Sequence, residues 1–395
     1  MSAGRAVPGL ATRGEAAGAA TRGVSWHDRW RVLRTRWLAD ARFQRWAAGF
    51  PLTRGVARRR ARALFDLCAG FVYSQVLFAC VELGLLETLE AAPAGAVALA
   101  RATGLEAAAM LRLLEAAAAL GLVEARDDGC WGLGVHGAAL RGNPGVAAMI
   151  AHHRLLYADL ADPVALLRGE RDCAIARYWA YARTATPAAL APAAVDAYTT
   201  LMAESQSLVA DDVLEAYPLG RHACLLDVGG GDGSFVRAAL ARTPGLGGIV
   251  FDLPPVARRA GECLAAAGLG RRARAQGGDF RSEALPAGAD VISLVRVLHD
   301  HDDETVRALL GAARRALPAG GVLVVAEPFA GQRGAETVGA AYFGFYLLAM
   351  GRGRARTAAE LTAFLREAGF LAVRERATRR PLQCGVLTAI RGAAD

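Results

Sequence analysis

A glycine-rich loop, Gly229-Gly230-Gly231-Asp232-Gly233, directly follows an apolar run (Cys224, Leu225, Leu226, Val228) that carries one acid, Asp227. Glycines at 229, 231 and 233 let a chain turn through unusual φ values and bring its amides close to a ligand. Asp227 adds an acceptor able to hold an ammonium group. Position 234 is Ser where a dinucleotide fingerprint has its third glycine, and a glycine pattern alone also fits a plain tight turn. Asp252 ends a second apolar run and precedes Leu253-Pro254-Pro255, whose prolines stop a strand and argue against a mere surface or capping acid. A carboxylate at that place in a doubly wound fold can take ribose hydroxyls. Asp279 beside Phe280 suits the amino group and ring face of adenine, although alone the pair is no better than a turn. His299 follows a fourth run, 290–298, and Glu327 ends a fifth, 321–327. Both fall where the carboxyl ends of parallel strands line a ligand crevice. A lone histidine is more often structural than catalytic.

These residues need an open, mostly parallel sheet whose strands turn into helices at one edge. The run before the glycine loop reads as a buried strand, and FVRAAL after it as a helix. The closing runs 371–378 and 382–391 should add the last two strands, one of them antiparallel. This places an α/β domain at about 201–395. Residues 64–200 read as a helical module, with an amphipathic stretch at 74–89 and a winged-helix-like pattern through Cys130-Trp131-Gly132-Leu133. A DNA-reading helix needs side chains that reach base edges. The candidate, 105–120, offers only Arg112 among alanines and leucines, with Glu106 and Glu115 repelling phosphate. Nucleic acid is therefore not expected as a partner.

Residues 1–63 form a separate arm. Between 22 and 62 it holds twelve arginines against Asp28 and Asp40, a local charge of +10 where the whole chain has +8. Trp26, Trp30, Leu33 and Trp37 make one helical stripe, and Phe43, Trp46 and Phe50 continue the spacing. Arginines beside an aromatic stripe suit an anionic lipid surface; a helix packed into a dimer, aromatic side inward, fits equally well. The chain has no lysine, which makes arginine enrichment elsewhere uninformative. Seven scattered cysteines without a C-x-x-C read as small buried hydrophobes in a reducing compartment. No zinc site is expected, and the adjacent His152 and His153 should point apart on a helix. The first twenty residues carry Arg5, Arg13 and Glu15 without an apolar block, so no secretory signal is expected. The uncharged runs 67–81 and 337–351 are fifteen residues each, short of the roughly twenty needed to span a bilayer. The expected location is the cytoplasm, with the arm at 22–62 as a candidate peripheral contact on the inner membrane.

The motifs LLDVGGGDG, FDLPPV, GGDF, RVLHDHDDE, VVAEP and ARTAAELTAFLREAGF resemble, in order and spacing over 65–391, the caffeic-acid-type S-adenosylmethionine-dependent O-methyltransferases. The resemblance implies a Rossmann-like class I methyltransferase domain behind a winged-helix-like module that forms a homodimer and closes one side of the substrate pocket. It implies S-adenosylmethionine held by Gly229, Gly231 and Gly233, with Asp252 on the ribose and Asp279 and Phe280 at the adenine. Asp227 and Arg296 are counted with these cofactor contacts. His299 would be the general base and Glu327 the acid that orients it. Two positions depart from the pattern: His301 stands for a Trp, and Ala355 for a second orienting acid. The leader running into WLADARFQRWAAGFPLTRGVARRRARALF resembles the bacterial carotenoid O-methyltransferases of the hydroxyneurosporene or demethylspheroidene type. That likeness implies methylation of a tertiary hydroxyl on a long acyclic polyene, a lipophilic substrate. The rival readings are an O-methyltransferase of a soluble phenol or polyketide, and a noncatalytic, cofactor-sensing winged-helix regulator.

Overall fold

A computed structural model describes residues 25–179, 181, 184, 192–380 and 384–393. The chain divides into two compact units, Met1–Ser74 and Gln75–Asp395.

In the first unit, helix Trp26–Ala39 ends at Asp40, whose carboxylate accepts the Phe43 amide at 2.7 Å and starts helix Ala41–Gly49. The aromatic stripe is thus split over two helices rather than carried on one, because Asp40 is a stronger N-cap than helix interior. Its rings still meet in sequence: Trp37 with Phe43 at 6.4 Å, Phe43 with Trp46 at 5.7 Å, and Trp46 stacked on Phe50 at 5.0 Å. Trp26, Trp30, Trp37 and Trp46 remain exposed. A third helix, Arg54–Glu82, begins here and runs on into the second unit. It is long and apolar enough, by length and composition, to cross a membrane. The uncharged run 67–81 alone falls short; the helix reaches that length once flanking charges are admitted.

In the second unit, Gly84 in the left-handed conformation (φ 62°) breaks the 74–89 stretch and starts helix Leu85–Ala91. Helices Ala96–Thr103 and Ala107–Ala119 follow, then a hairpin of β1 (Val123–Ala125) and β2 (Trp131–Leu133). Together they enclose a core around Leu85, Leu99, Met110 and Leu114, the winged-helix-like arrangement expected.

The α/β part is a seven-stranded sheet. Its strands are β3 (Cys224–Val228), β4 (Gly247–Asp252), β5 (Ala273–Gly277), β6 (Val291–Val295), β7 (Val322–Glu327), β8 (Phe370–Arg376) and β9 (Gly385–Arg391), in spatial order β5-β4-β3-β6-β7-β9-β8. Strands β3 to β7 pair in parallel and β9 runs antiparallel between β7 and β8, as anticipated. Strand order reverses between β3 and β6, which opens a crevice at their carboxyl ends. One edge strand was not legible: β5 reads ARAQG, with little apolar content to mark it, because only part of it is buried. Helices Ser234–Arg242 and Pro254–Ala266 cover one face with Phe235, Val236, Ala260 and Leu264; Asp303–Ala316 and Ala358–Glu367 cover the other with Leu309, Leu310, Leu361 and Leu365.

Candidate active site

Gly229, Gly231 and Gly233 all lie at positive φ, 68°, 59° and 81°, which explains their alternate spacing. Gly229 donates to the Phe251 carbonyl at 2.8 Å, and its missing Cβ would sit 2.8 Å from Val297. Gly233 caps helix Ser234–Arg242. The loop is pinned to the next strand by Asp252, whose carboxylate accepts from the Gly231 amide at 2.8 Å and from Leu253 at 2.7 Å. Burial pushes Asp252 up to about 6, against those two hydrogen bonds. Asp227 is deeper, accepts from the Ser293 hydroxyl at 2.6 Å, and is pushed up to about 7 by burial and by Asp252. Two carboxylates with raised proton affinity therefore border one cavity. They suit a ligand that brings positive charge and hydroxyls.

Asp279 and Phe280 line the same cavity. Burial raises Asp279, but Arg281, which donates at 2.8 Å, brings it below the usual carboxylate range. Phe280 meets His301 edge to face at 5.2 Å, so the histidine in place of Trp still gives an aromatic neighbour. Arg296 also lines the cavity and adopts φ 58°, a left-handed conformation uncommon outside glycine. Its guanidinium reaches the Met202 sulfur at 2.9 Å; burial lowers its proton affinity, opposed by Asp300 and Glu327.

His299 sits in the one-turn helix Leu298–Asp300 just beyond β6. Ladder pairing of Val295 with Ala326 sets Glu327 beside it at the end of β7. One Glu327 oxygen accepts the Val297 and Leu298 amides at 2.9 and 2.6 Å, and the other accepts a hydrogen bond from His299 Nδ1. Burial disfavours the imidazolium, but Asp300 and Glu327 outweigh it and the net shift is upward. Sequence reasoning passed over Asp300, although it stands next to His299 in the quoted motif. Its Oδ1 lies 3.2 Å from His299 Nε2, and its Oδ2 accepts from the Tyr181 hydroxyl at 2.7 Å. The imidazole thus has two carboxylate neighbours despite Ala355.

The segment around Ala355 holds the turn by other means. Buried Arg356 donates at 2.7 Å to the carbonyls of Leu298 and His301, on either side of His299, and to Asp303. Gly353 (φ 76°) packs so close that a Cβ would fall 2.0 Å from the His299 carbonyl oxygen. Another side of the cavity is lined by Met149, Trp179, Met202, Tyr342, Phe343 and Tyr346, with Phe343 edge-on to His299 at 5.6 Å. No motif announced this wall. Its rings Tyr342, Phe343 and Tyr346 come from a π-helical stretch, Val338–Phe343, that runs into helix Gly344–Met350.

Comparison with known proteins places the chain in a family. An O-methyltransferase domain model matches residues 157–371, and an O-methyltransferase dimerisation domain model matches 65–138, which includes the second half of helix Arg54–Glu82. The chain is 45% identical to demethylspheroidene O-methyltransferase of Cereibacter sphaeroides over 91% of its own length and 94% of that protein. It is 30% identical to a phenazine O-methyltransferase of Lysobacter antibioticus over 78% and 90% of the two chains. Among solved structures, human N-acetylserotonin methyltransferase in complex with S-adenosylmethionine superposes with a TM-score of 0.68 at 25% identity, covering 85% of this chain and 98% of that one. Its two matched domains, its sheet and its near full-length relatives make this chain a member of the S-adenosylmethionine-dependent O-methyltransferase family, with a helical dimerisation region ahead of a Rossmann-like catalytic domain.

Proposed function

We propose that the protein methylates a hydroxyl of an acyclic carotenoid of the hydroxyneurosporene or demethylspheroidene type. The observation that carries the reading is the site itself: an imidazole flanked by Glu327 and Asp300, facing an aromatic and thioether wall, in a chain 45% identical to a demethylspheroidene O-methyltransferase. In this reading residues 201–395 bind the cofactor, 64–200 pair the subunits and wall the acceptor pocket, and 1–63 are the arm.

When bound, S-adenosylmethionine supplies a methyl group activated by its sulfonium. Gly229, Gly231 and Gly233 give it backbone, Asp227 and Asp252 offer carboxylates to its ammonium and ribose, and Asp279, Phe280 and Arg296 border the rest. Holding the acceptor oxygen in line is worth about 7–11 kcal/mol when geometry is tight. Glu327 accepts from Nδ1 of His299, which leaves Nε2 to take the acceptor's proton. An aliphatic alcohol is a far weaker acid than imidazolium, so the proton moves as the new C–O bond forms rather than before it.

The test is methyl transfer from labelled S-adenosylmethionine to hydroxylated acyclic carotenoids in detergent and, in parallel, to soluble phenols. Turnover confined to the phenols overturns the reading.

The same reading assigns the arm to anionic membrane, where a polyene substrate resides. Its exposed tryptophans and arginines support this, and each arginine near such a surface adds about 1 kcal/mol, fading within a Debye length. Removing residues 1–50, which takes away seven of the twelve arginines and all four of the arm's tryptophans, should sharply weaken salt-sensitive co-sedimentation with anionic liposomes while cofactor binding survives. Equal binding by both forms, or loss of the dimer on truncation, makes the arm a packing element.

A further inference from the structure

The acceptor wall has an arrangement that the methyl-transfer reaction does not need. Tyr342 and Tyr346 stack 6.1 Å apart on its surface, yet both phenol groups are engaged by adjacent histidines of helix Pro144–Leu160. Tyr346 lies 2.8 Å from His152 Nε2 and Tyr342 lies 2.7 Å from His153 Nε2. Trp179 also donates its indole N–H to the Tyr346 oxygen at 2.8 Å. An indole can only donate, so the Tyr346 oxygen accepts from Trp179 and keeps its own hydrogen to give to His152 Nε2 in the tautomer that leaves that nitrogen bare. Burial agrees, pushing His152 down to about 4 and His153 below its ordinary value. The two histidines diverge along the helix, as their adjacency requires, but each finds its own tyrosine.

We propose that His152 and His153 are specificity-determining residues: by holding the phenol groups of Tyr346 and Tyr342, they leave the wall ring faces and thioethers to offer, and so select an acceptor with an apolar, conjugated skeleton. An unmatched hydroxyl in such a wall would have to be stripped of water by every apolar acceptor, whereas a polar acceptor could bond to it. The inference rests on the carotenoid reading above and goes further by naming what enforces it.

The experiment compares kcat/KM for a hydroxylated acyclic carotenoid in micelles with kcat/KM for a soluble phenol, in the full-length protein. His153→Leu strands the Tyr342 hydroxyl. The carotenoid-to-phenol ratio should fall roughly tenfold or more, the scale on which a buried polar group without a partner is felt. Adding Tyr342→Phe to His153→Leu removes the stranded hydroxyl and should return the ratio towards wild type, which a folding defect would not do. A ratio that His153→Leu leaves unchanged, or that Tyr342→Phe does not restore, overturns the inference while the carotenoid reading stands. A wild-type protein that methylates only the phenol sinks both.

Discussion

Replacing Glu327 by Gln should stop the reaction without disturbing the cofactor. In the structure one Glu327 oxygen accepts two backbone amides, from Val297 and Leu298, and the other accepts from His299 Nδ1. A glutamine has one oxygen, and the two amides will claim it, because turning it round would leave both buried donors unpaired. Its NH2 group then faces Nδ1 and donates, so Nδ1 must be the unprotonated nitrogen and the hydrogen moves to Nε2. There it faces the Asp300 carboxylate, whose Oδ1 lies 3.2 Å away and whose charge favours a proton on that nitrogen. Nε2 can no longer take a proton. A comparable carboxylate-to-amide exchange behind a catalytic histidine costs about 10⁴-fold in kcat. Turnover should therefore fall by roughly 10³–10⁴-fold with cofactor affinity retained, as read by initial rates and by calorimetry. The upward shift of His299 should also shrink, moving the acid limb of the pH–rate profile to lower pH. Activity within about tenfold of wild type would mean that positioning alone drives the transfer and that the imidazole is not the base.

Asp252→Ala should weaken S-adenosylmethionine binding at least about tenfold, since it removes a charge-assisted acceptor and frees the Gly231 and Leu253 amides that it pins; unchanged calorimetric affinity would make Asp252 purely structural. Because the folded state raises Asp227 to about 7, its protonated form is favoured, and the stability it contributes is present below the unfolded carboxylate range and lost as pH rises through about 7. The gain in thermal midpoint of Asp227→Asn over wild type should accordingly widen from pH 4 to pH 7, and a gap independent of pH would contradict the shift. Wild-type affinity for the cationic cofactor should rise over the same window, as the carboxylate ionises. Gly353→Ala places a Cβ against the His299 carbonyl at positive φ, costing about 1–3 kcal/mol of stability; turnover should fall more than cofactor affinity, and equal losses in both would indicate general unfolding.

Most of the catalytic half was legible because its functional groups sit at strand ends, where an apolar run, a turn residue and an acid follow one another in the sequence. Asp227, Asp252, His299 and Glu327 were all singled out that way, with their roles implied by the family resemblance, and the structure sets the first three around one cavity and Glu327 against His299. The edge strand β5 escaped because half-solvated strands need few apolar residues. Asp300 was visible in the motif, but its reach to Nε2 depends on the one-turn helix that follows β6. The wall of Tyr342, Phe343 and Tyr346 left no local mark, since its partners His152 and His153 lie far off in the chain and a π-helical turn has no simple periodicity. Ala355 leaves the turn without the second orienting acid that the resemblance implies. The fold answers it with Arg356 and Gly353 on the turn, contacts that only tertiary packing reveals.

The strand order carries a last consequence. Along the sheet the chemistry-bearing ends come as β4, β3, β6 and β7, with Asp252 and Asp227 on one side of the reversal and His299 and Glu327 on the other. Neighbouring strands lie about 4.8 Å apart, which sets Asp252 and Glu327 roughly 14 Å from one another at the backbone. Substitutions at that separation without shared partners add their free energies to within about 0.3–0.5 kcal/mol. On the roles proposed above, methyl donation and proton removal would be mounted as two modules on one ladder. A thermodynamic cycle combining Asp252→Ala with Glu327→Gln should close with almost no coupling, so donor affinity and base strength are free to drift separately as acceptors change.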